Sequence, residues 1–258
     1  MKRLEGQIAI VTGAGTGIGA STAKLLASEG AQVVVVGRRK ALLDAVVAEI
    51  ERSGGKAVAR SSDLARPKDA AAVGEWAVGE FGRVDVLVNN AGASSKVRNI
   101  QWVGLDDWDQ VLGVNLTGVF ALTQSVLPIM VKQGHGSIVT ISSAAARNPG
   151  LLGGAPYGAA KAAVANLMGH VHQVLRNTGV RATTIFPAEV DTPILENRPL
   201  VPDAKARETM MRPEDIAQAV LFCLTLPPRT VVEELVISPT RTRDSSADLR
   251  AARDQGER

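Results

Sequence analysis

Apolar residues follow two alternating rhythms along the chain. Short runs of consecutive β-branched and aliphatic residues read as strands, at 7–12, 32–36, 56–60, 84–88, 136–142, 180–186 and 233–237. Between them lie longer stretches with apolar residues three to four positions apart. Leu42, Leu43, Val46, Val47 and Ile50, for example, share one side of a helix expected over 40–52. Helices are likewise predicted at 17–29, 67–81, 106–132, 155–177 and 213–224. Strands apolar on both sides, separated by helices, predict a parallel sheet covered on both faces. Each crossover between parallel neighbours is then right-handed. The expectation is an α/β fold, a doubly wound seven-stranded parallel sheet in a single domain over 1–240. Two segments break the rhythm. Residues 191–212 contain Pro193, Pro199 and Pro202 and read as an irregular excursion with short helices, a substrate lid. Residues 241–258 are polar and charge-mixed and read as a flexible tail whose removal leaves the core intact.

Composition narrows the class. Of 258 residues 45% are hydrophobic, too many for a disordered chain. Cys223 is the one cysteine, so neither an internal disulfide nor a cysteine-based zinc site is expected. That fits a reducing compartment, and a cytoplasmic location is expected. No apolar run approaches the ~20 residues of a membrane span, and the basic start Met1-Lys2-Arg3 precedes an apolar stretch too short for a signal peptide. The net charge of +3 is spread singly or in pairs, with few aromatics between, so neither nucleic acid nor a membrane is an expected partner. His135, His170 and His172 are the only histidines; the last two, two apart on a helix, cannot chelate one ion, and no metal is expected.

The first strand runs into Thr12-Gly13-Ala14-Gly15-Thr16-Gly17-Ile18-Gly19 and then a helix. Glycines there allow a tight turn and let backbone N–H groups approach a phosphate, where the helix N-terminus adds positive potential. The spacing Thr-Gly-x-x-x-Gly-x-Gly resembles the cofactor turn of the short-chain dehydrogenases/reductases, in their compact single-domain branch. The resemblance extends over 4–237, with the later motifs in the family's order. It implies a Rossmann-type fold and a dinucleotide held by Gly13, Gly15, Thr16, Gly17, Ile18 and Gly19.

The second strand ends Val36-Gly37-Arg38-Arg39. No carboxylate stands there to bind the ribose hydroxyls of NAD and repel a 2′-phosphate, and two guanidiniums can pair with that phosphate. NADP(H) is therefore expected, NAD being the alternative. By resemblance Asp63 and Leu64 contact the adenine, and Asn89-Asn90-Ala91-Gly92 supports the sheet and lines the adenosine ribose through Asn90, Ala91 and Gly92. Asp63 taken alone is equally a turn former.

Tyr157, the single tyrosine, precedes Lys161 by four residues, so a helix puts both on one face. A phenol titrates near 10, and a nearby ammonium favours its phenolate. Tyr-x-x-x-Lys resembles the family's catalytic signature. It implies that Tyr157 is the general acid and base and that Lys161 holds the nicotinamide ribose and lowers the phenol's pKa. Ser143 is implied as the substrate hydrogen-bond donor, with Ser142 left open beside it, and Asn115 as a residue that kinks its helix around a proton-relaying water. Pro187, Val190 and Thr192 match the segment beneath the nicotinamide, with Ala188 where the family has glycine; a positive φ there would strain alanine.

The reading is an NADP(H)-dependent oxidoreductase moving a hydride between the dinucleotide and a carbonyl or secondary alcohol. An NAD(H)-dependent alcohol dehydrogenase of the same family, a non-catalytic NADP-sensing protein and a scaffold acting through its helices are the alternatives. The resemblance further implies a homotetramer or homodimer built on 106–132 and 155–177. Lys96 and Arg98 follow Gly92 and are able to meet an acidic substrate, although a solvated loop is the simpler reading.

Overall fold

The computed structural model describes residues 2–256. Seven strands, β1 (Ile8–Thr12), β2 (Gln32–Gly37), β3 (Lys56–Ser61), β4 (Val86–Asn89), β5 (Gly136–Ile141), β6 (Val180–Pro187) and β7 (Glu234–Ile237), form one parallel sheet ordered β3-β2-β1-β4-β5-β6-β7. The interior strands are apolar because both faces are covered. Val33, Val34, Val35 and Val36 alternate between the two cores, and all four are fully buried. Each such side chain contributes about 1.5–3 kcal/mol through removal from water.

On one face the core lies under α1 (Gly17–Ser28), α2 (Lys40–Arg52) and α8 (Pro213–Thr225), through Leu26, Leu43 and Val220. On the other it lies under α3 (Pro67–Phe81), α5 (Gly118–Gln133) and α6 (Ala155–Val174), through Val73, Met130 and Val164. The strand order reverses between β1 and β4, so the crevice for a ligand opens at their C-terminal ends. Thr12 ties those ends together. Its hydroxyl donates to the Val88 carbonyl at 3.2 Å and accepts from the N–H groups of Asn90 and Ala91 at 2.9 and 3.0 Å.

The helix expected over 106–132 is interrupted. It forms α4 (Leu105–Leu112), a π-helical turn at Gly113–Thr117, and α5. Asn115 explains the break. Its buried amide donates to the Val111 carbonyl at 2.7 Å and to the Ala93 carbonyl at 2.8 Å, so a side chain competes within the helical ladder. Taken as one rod, Leu105–Gln133 is long and apolar enough to cross a bilayer, contrary to the expectation from apolar runs. The physical reason is its place in the fold: an apolar face is needed against the sheet and α3, where Leu122 and Val126 are buried.

The segment after 190 is irregular, with a 3₁₀ turn at Pro193–Asn197 and one short helix, α7 (Ala204–Arg207). The polar end of the chain departs from the flexible tail expected at 241–258. It forms α9 (Ser246–Asp254), and Asp248 and Ala252 are buried. Ionic and polar contacts hold it besides the packing of Ala252: Arg243 bonds Glu189 and Asp248, and the Asn99 amide donates to the Arg253 carbonyl at 3.1 Å. Residues 257 and 258 of that expectation lie outside the described residues.

Candidate active site

A cavity of about 710 Å³ runs along the C-terminal ends of the strands. At its centre is the glycine turn. Gly13 has φ +64°, and a side chain on it would come within 2.8 Å of the Ala91 Cα. Gly13, Gly15, Thr16, Gly17 and Ile18 all line the cavity. Gly19 sits behind the turn, where a side chain would collide with the Gly13 carbonyl. No side chain caps the N-terminus of α1 and no acidic residue lies in its first turn, so its N–H groups are available to an anion. Thr192 packs against Gly17, bringing the segment after β6 onto the turn.

One end of the cavity holds Arg38 and Arg39, both exposed and without an acidic partner among the described residues. Asp63 and Leu64 line this end too, and an Asp63 carboxylate oxygen accepts from the Ala65 N–H at 3.2 Å. Asn90, Ala91 and Gly92 lie beneath, with the Asn90 amide donating to the Thr12 carbonyl at 2.8 Å.

The other end gathers Ser143, Tyr157, Lys161, Pro187 and Val190. Tyr157 and Lys161 project from the same face of α6, with the Lys161 Nζ 5.7 Å from the centre of the phenol ring. That amine is 4% exposed and donates to the Ile141 carbonyl at 2.8 Å. Ser142 donates its hydroxyl to the Lys161 carbonyl at 2.8 Å, which engages it away from Tyr157. The Ser143 hydroxyl is placed beside the phenol and accepts from the Ala145 N–H at 3.1 Å. Asn115 is fully buried behind the cavity wall; its Oδ1 has no partner and faces Gly92. Ala188 carries no strain, because Asn177 is the one non-glycine residue with positive φ among the described residues.

Burial sets the electrostatics. It pushes the Lys161 amine down to about 8 and the Tyr157 phenol above its usual 10.0. Opposing burial at Tyr157 are the Ser143 hydroxyl and the charges of Arg98 and Arg198. The phenol acidified by Lys161, expected from the spacing, is thus not found in the chain by itself: desolvation outweighs the charges, and those that act are arginines. A protonated phenol beside an amine and a hydroxyl can donate a proton to an oxygen bound among them.

A family model described as short chain dehydrogenase matches residues 7–200. The chain belongs to the short-chain dehydrogenase family. Among relatives, the 3-oxoacyl-[acyl-carrier-protein] reductase FabG of Thermotoga maritima is 38% identical over 231 residues, spanning 85% of this chain and 91% of that protein. A metagenomic short-chain oxidoreductase solved in complex with NADP superposes with a TM-score of 0.80 at 34% identity, over 93% of this chain and all of that one. The 3-ketoacyl-(acyl-carrier-protein) reductase of Brucella melitensis, solved with NADH, gives 0.82 at 31% identity over 93% of this chain and all of that one.

In this short-chain dehydrogenase one part of the cavity was not foreseen. Arg98, Glu189, Arg198 and Arg243 line its wall, with Asp248 close behind. Arg98, read from the sequence as part of a solvated loop, is 5% exposed. Nothing in the spacing of these isolated charges signals that they meet.

Proposed function

We propose that the chain is an NADP(H)-dependent reductase of carbonyl compounds, working in reverse on secondary alcohols. The observation that carries this is the convergence of Ser143, Tyr157 and Lys161 at one end of a cavity that has the glycine turn and two unpaired arginines at the other. The residues present fit a nicotinamide dinucleotide. The uncapped start of α1 and the bare turn suit its pyrophosphate, Asp63, Leu64, Asn90, Ala91 and Gly92 its adenosine, and Pro187, Val190 and Thr192 its nicotinamide end.

When bound, the nicotinamide supplies the hydride to the carbonyl carbon or accepts it from the alcohol. Tyr157 gives its phenolic proton to the carbonyl oxygen in reduction and takes it back in oxidation. Its raised pKa keeps it protonated near neutrality, as an acid must be. Ser143 donates a hydrogen bond to the same oxygen. Lys161 holds the ribose hydroxyls. Asn115, with an unpartnered Oδ1 behind Gly92, suits a hydrogen bond to a water that returns a proton toward Lys161.

Arg38 and Arg39 favour NADP over NAD, since a guanidinium pairs with a 2′-phosphate and no acidic residue repels it. The NADH complex of the Brucella melitensis relative supports NAD as the second reading. Segment 191–212 suits a lid, with Ile194, Leu195, Thr209 and Met210 over the reacting end. Exposed Phe120 and Val131 on α5 and Val174 on α6 suit self-association into a dimer or tetramer. Buried, unpaired Cys223 suits the cytoplasm. The experiment is NADPH oxidation against a carbonyl panel with wild type and Tyr157→Phe: consumption by wild type and its loss in the variant are expected. Absence of consumption with every carbonyl, despite NADPH binding, would overturn the reading in favour of a sensor.

A further inference from the structure

The wall of the cavity beside Tyr157 holds an odd number of charges. Glu189 accepts from Arg198 at 2.7 Å and from Arg243 at 2.9 and 3.0 Å. Asp248, carried by α9, accepts from Arg243 at 2.7 and 2.8 Å and lies 3.6 Å from Arg198. These two carboxylates and two guanidiniums neutralise one another. Arg98 is the third guanidinium and has no carboxylate in salt-bridge reach among the described residues. Its Nη1 donates to the Leu152 carbonyl, its Nε is buried with no acceptor, and its Nη2 has none either.

The cluster therefore carries one uncompensated positive charge on a side chain 5% exposed to solvent. Burying a charge without a partner is strongly unfavourable, and a fold that retains one gains most when an anion binds. Arg98 is also held fixed relative to the phenol. Its carbonyl accepts from the Ala155 N–H at 3.0 Å, at the start of the helix that carries Tyr157 two residues on. Burial lowers its pKa to about 10, which still leaves it charged at neutral pH.

We propose that Arg98 binds the carboxylate of the substrate, making the enzyme a reductase of short oxo acids and, in reverse, an NADP⁺-dependent dehydrogenase of the matching hydroxy acids. The proposal rests on the reductase reading above and names its substrate class. A monoanion balances the single excess charge. The Nη2 of Arg98, which has no acceptor among the described residues and is not enclosed as Nε is, is the donor that a carboxylate oxygen in the cavity can reach in a charge-assisted hydrogen bond. Arg243 is fully engaged and Arg198 is paired with Glu189 through its Nη1, so both already have a carboxylate partner that Arg98 lacks. The redox balance is that of the proposed reaction: the oxo acid is reduced to the hydroxy acid, and NADPH is oxidised to NADP⁺.

The test uses the full chain with pyruvate, acetoacetate and levulinate, which place the carbonyl at three distances from the carboxylate, each against its methyl ester. NADPH oxidation gives kcat/KM for every pair, and calorimetry follows butyrate binding to the NADPH complex. At least one acid is expected to exceed its ester by about ten- to a hundredfold, the worth of a charge-assisted hydrogen bond. Arg98→Met is expected to lower acid turnover at least about tenfold more than ester turnover and to remove butyrate binding, with Arg98→Lys restoring part of both. A variant that merely loosened the fold would lower acid and ester alike. Should Arg98→Met fail to fold, the acid-to-ester ratio of the wild type and the Lys variant still decide. Esters used as well as acids, with no butyrate bound, would overturn the carboxylate site and leave the reductase reading intact. Butyrate bound through Arg98 with no NADPH consumed by any acid or ester would uphold the anion site and overturn the reductase reading.

Discussion

Ser142 donates its hydroxyl to the main-chain carbonyl of Lys161 at 2.8 Å, while the Lys161 Nζ donates to the carbonyl of Ile141, the residue before Ser142, at the same distance. The end of β5 and the second turn of α6 are thereby cross-linked in both directions. Ser142 is a strut, and Ser143 is left as the hydroxyl facing the phenol. Ser142→Ala is expected to cost about 1 kcal/mol, because a buried side-chain hydrogen bond across β5 and α6 is lost. Ser143→Ala is expected to lower kcat about a hundredfold, the scale of one lost oxyanion donor, with a much smaller change in stability. Thermal melts and NADPH oxidation on both variants check this. The opposite pattern would transfer the substrate contact to Ser142.

Tyr157→Phe removes one oxygen from a half-buried ring and leaves its packing. Turnover is expected to drop by about two to four orders of magnitude, the usual worth of a positioned acid. NADPH affinity is expected to stay within about threefold, since the glycine turn and arginines are untouched. Single-turnover kinetics and fluorescence titration of NADPH separate the two effects.

Arg38→Ala removes one of two exposed guanidiniums at the far end of the cavity. Its expected effect is selective: NADPH binds about ten- to a hundredfold more weakly, while NADH changes little. Dissociation constants for both nucleotides, measured over a range of salt concentrations, check this. Equal loss for both would remove Arg38 from the phosphate role and favour NAD as the cofactor.

Asp85 joins three strands from a site 3% exposed. It accepts from the Ile8 N–H and from Arg83, and lies 2.8 Å from the His135 ring. Burial opposes its ionisation, yet Arg83, the Ile8 N–H and His135 outweigh it and hold the carboxyl below its usual 3.8. A folded-state value below the unfolded one means that the stabilisation is fully present above about pH 4 and is lost as pH falls through the lower folded value. Asp85→Asn is expected to cost about 1–3 kcal/mol at pH 7, with the gap from wild type closing as pH falls through the lowered folded-state value. Urea unfolding at several pH values measures both.

Deletion of residues 245–258 removes α9 and with it Asp248. The sheet is expected to remain, because α9 lies at the cavity mouth and contributes no residue to either main core. Arg198 and Arg243 then share Glu189 alone, and the geometry around Arg98 loosens. KM for the carbonyl substrate is expected to rise by about tenfold, with a smaller fall in kcat and little change in NADPH affinity. Steady-state kinetics and a circular dichroism melt of the truncated chain report the outcome.

Local pattern carried the strands and most helices, because burial on both faces of a parallel sheet forces unbroken apolar runs such as Val33 to Val36. It also carried Tyr157 and Lys161, whose four-residue spacing is fixed by the helix that bears them. It failed at Asn115, where a side chain turns into the backbone ladder and makes a π-helical turn that no periodicity announces. The phenol's acidity failed likewise: adjacency in sequence suggested Lys161 as its tuner, whereas desolvation depends on how many atoms pack around the ring.

From its residues alone this protein had its layered α/β fold, its glycine turn and its Tyr157–Lys161 pair, all set by interactions within a few turns or one strand-to-helix unit. Tertiary structure decided which serine faces the phenol, that the charged end of the chain folds, and that Arg98 is buried without a counter-charge. The serine depends on the contact of β5 with α6, and the other two depend on Arg98, Glu189, Arg198, Arg243 and Asp248 meeting from distant parts of the chain. Electrostatics in a desolvated wall follows distance in space and ignores order along the chain, so no short window of sequence contains it.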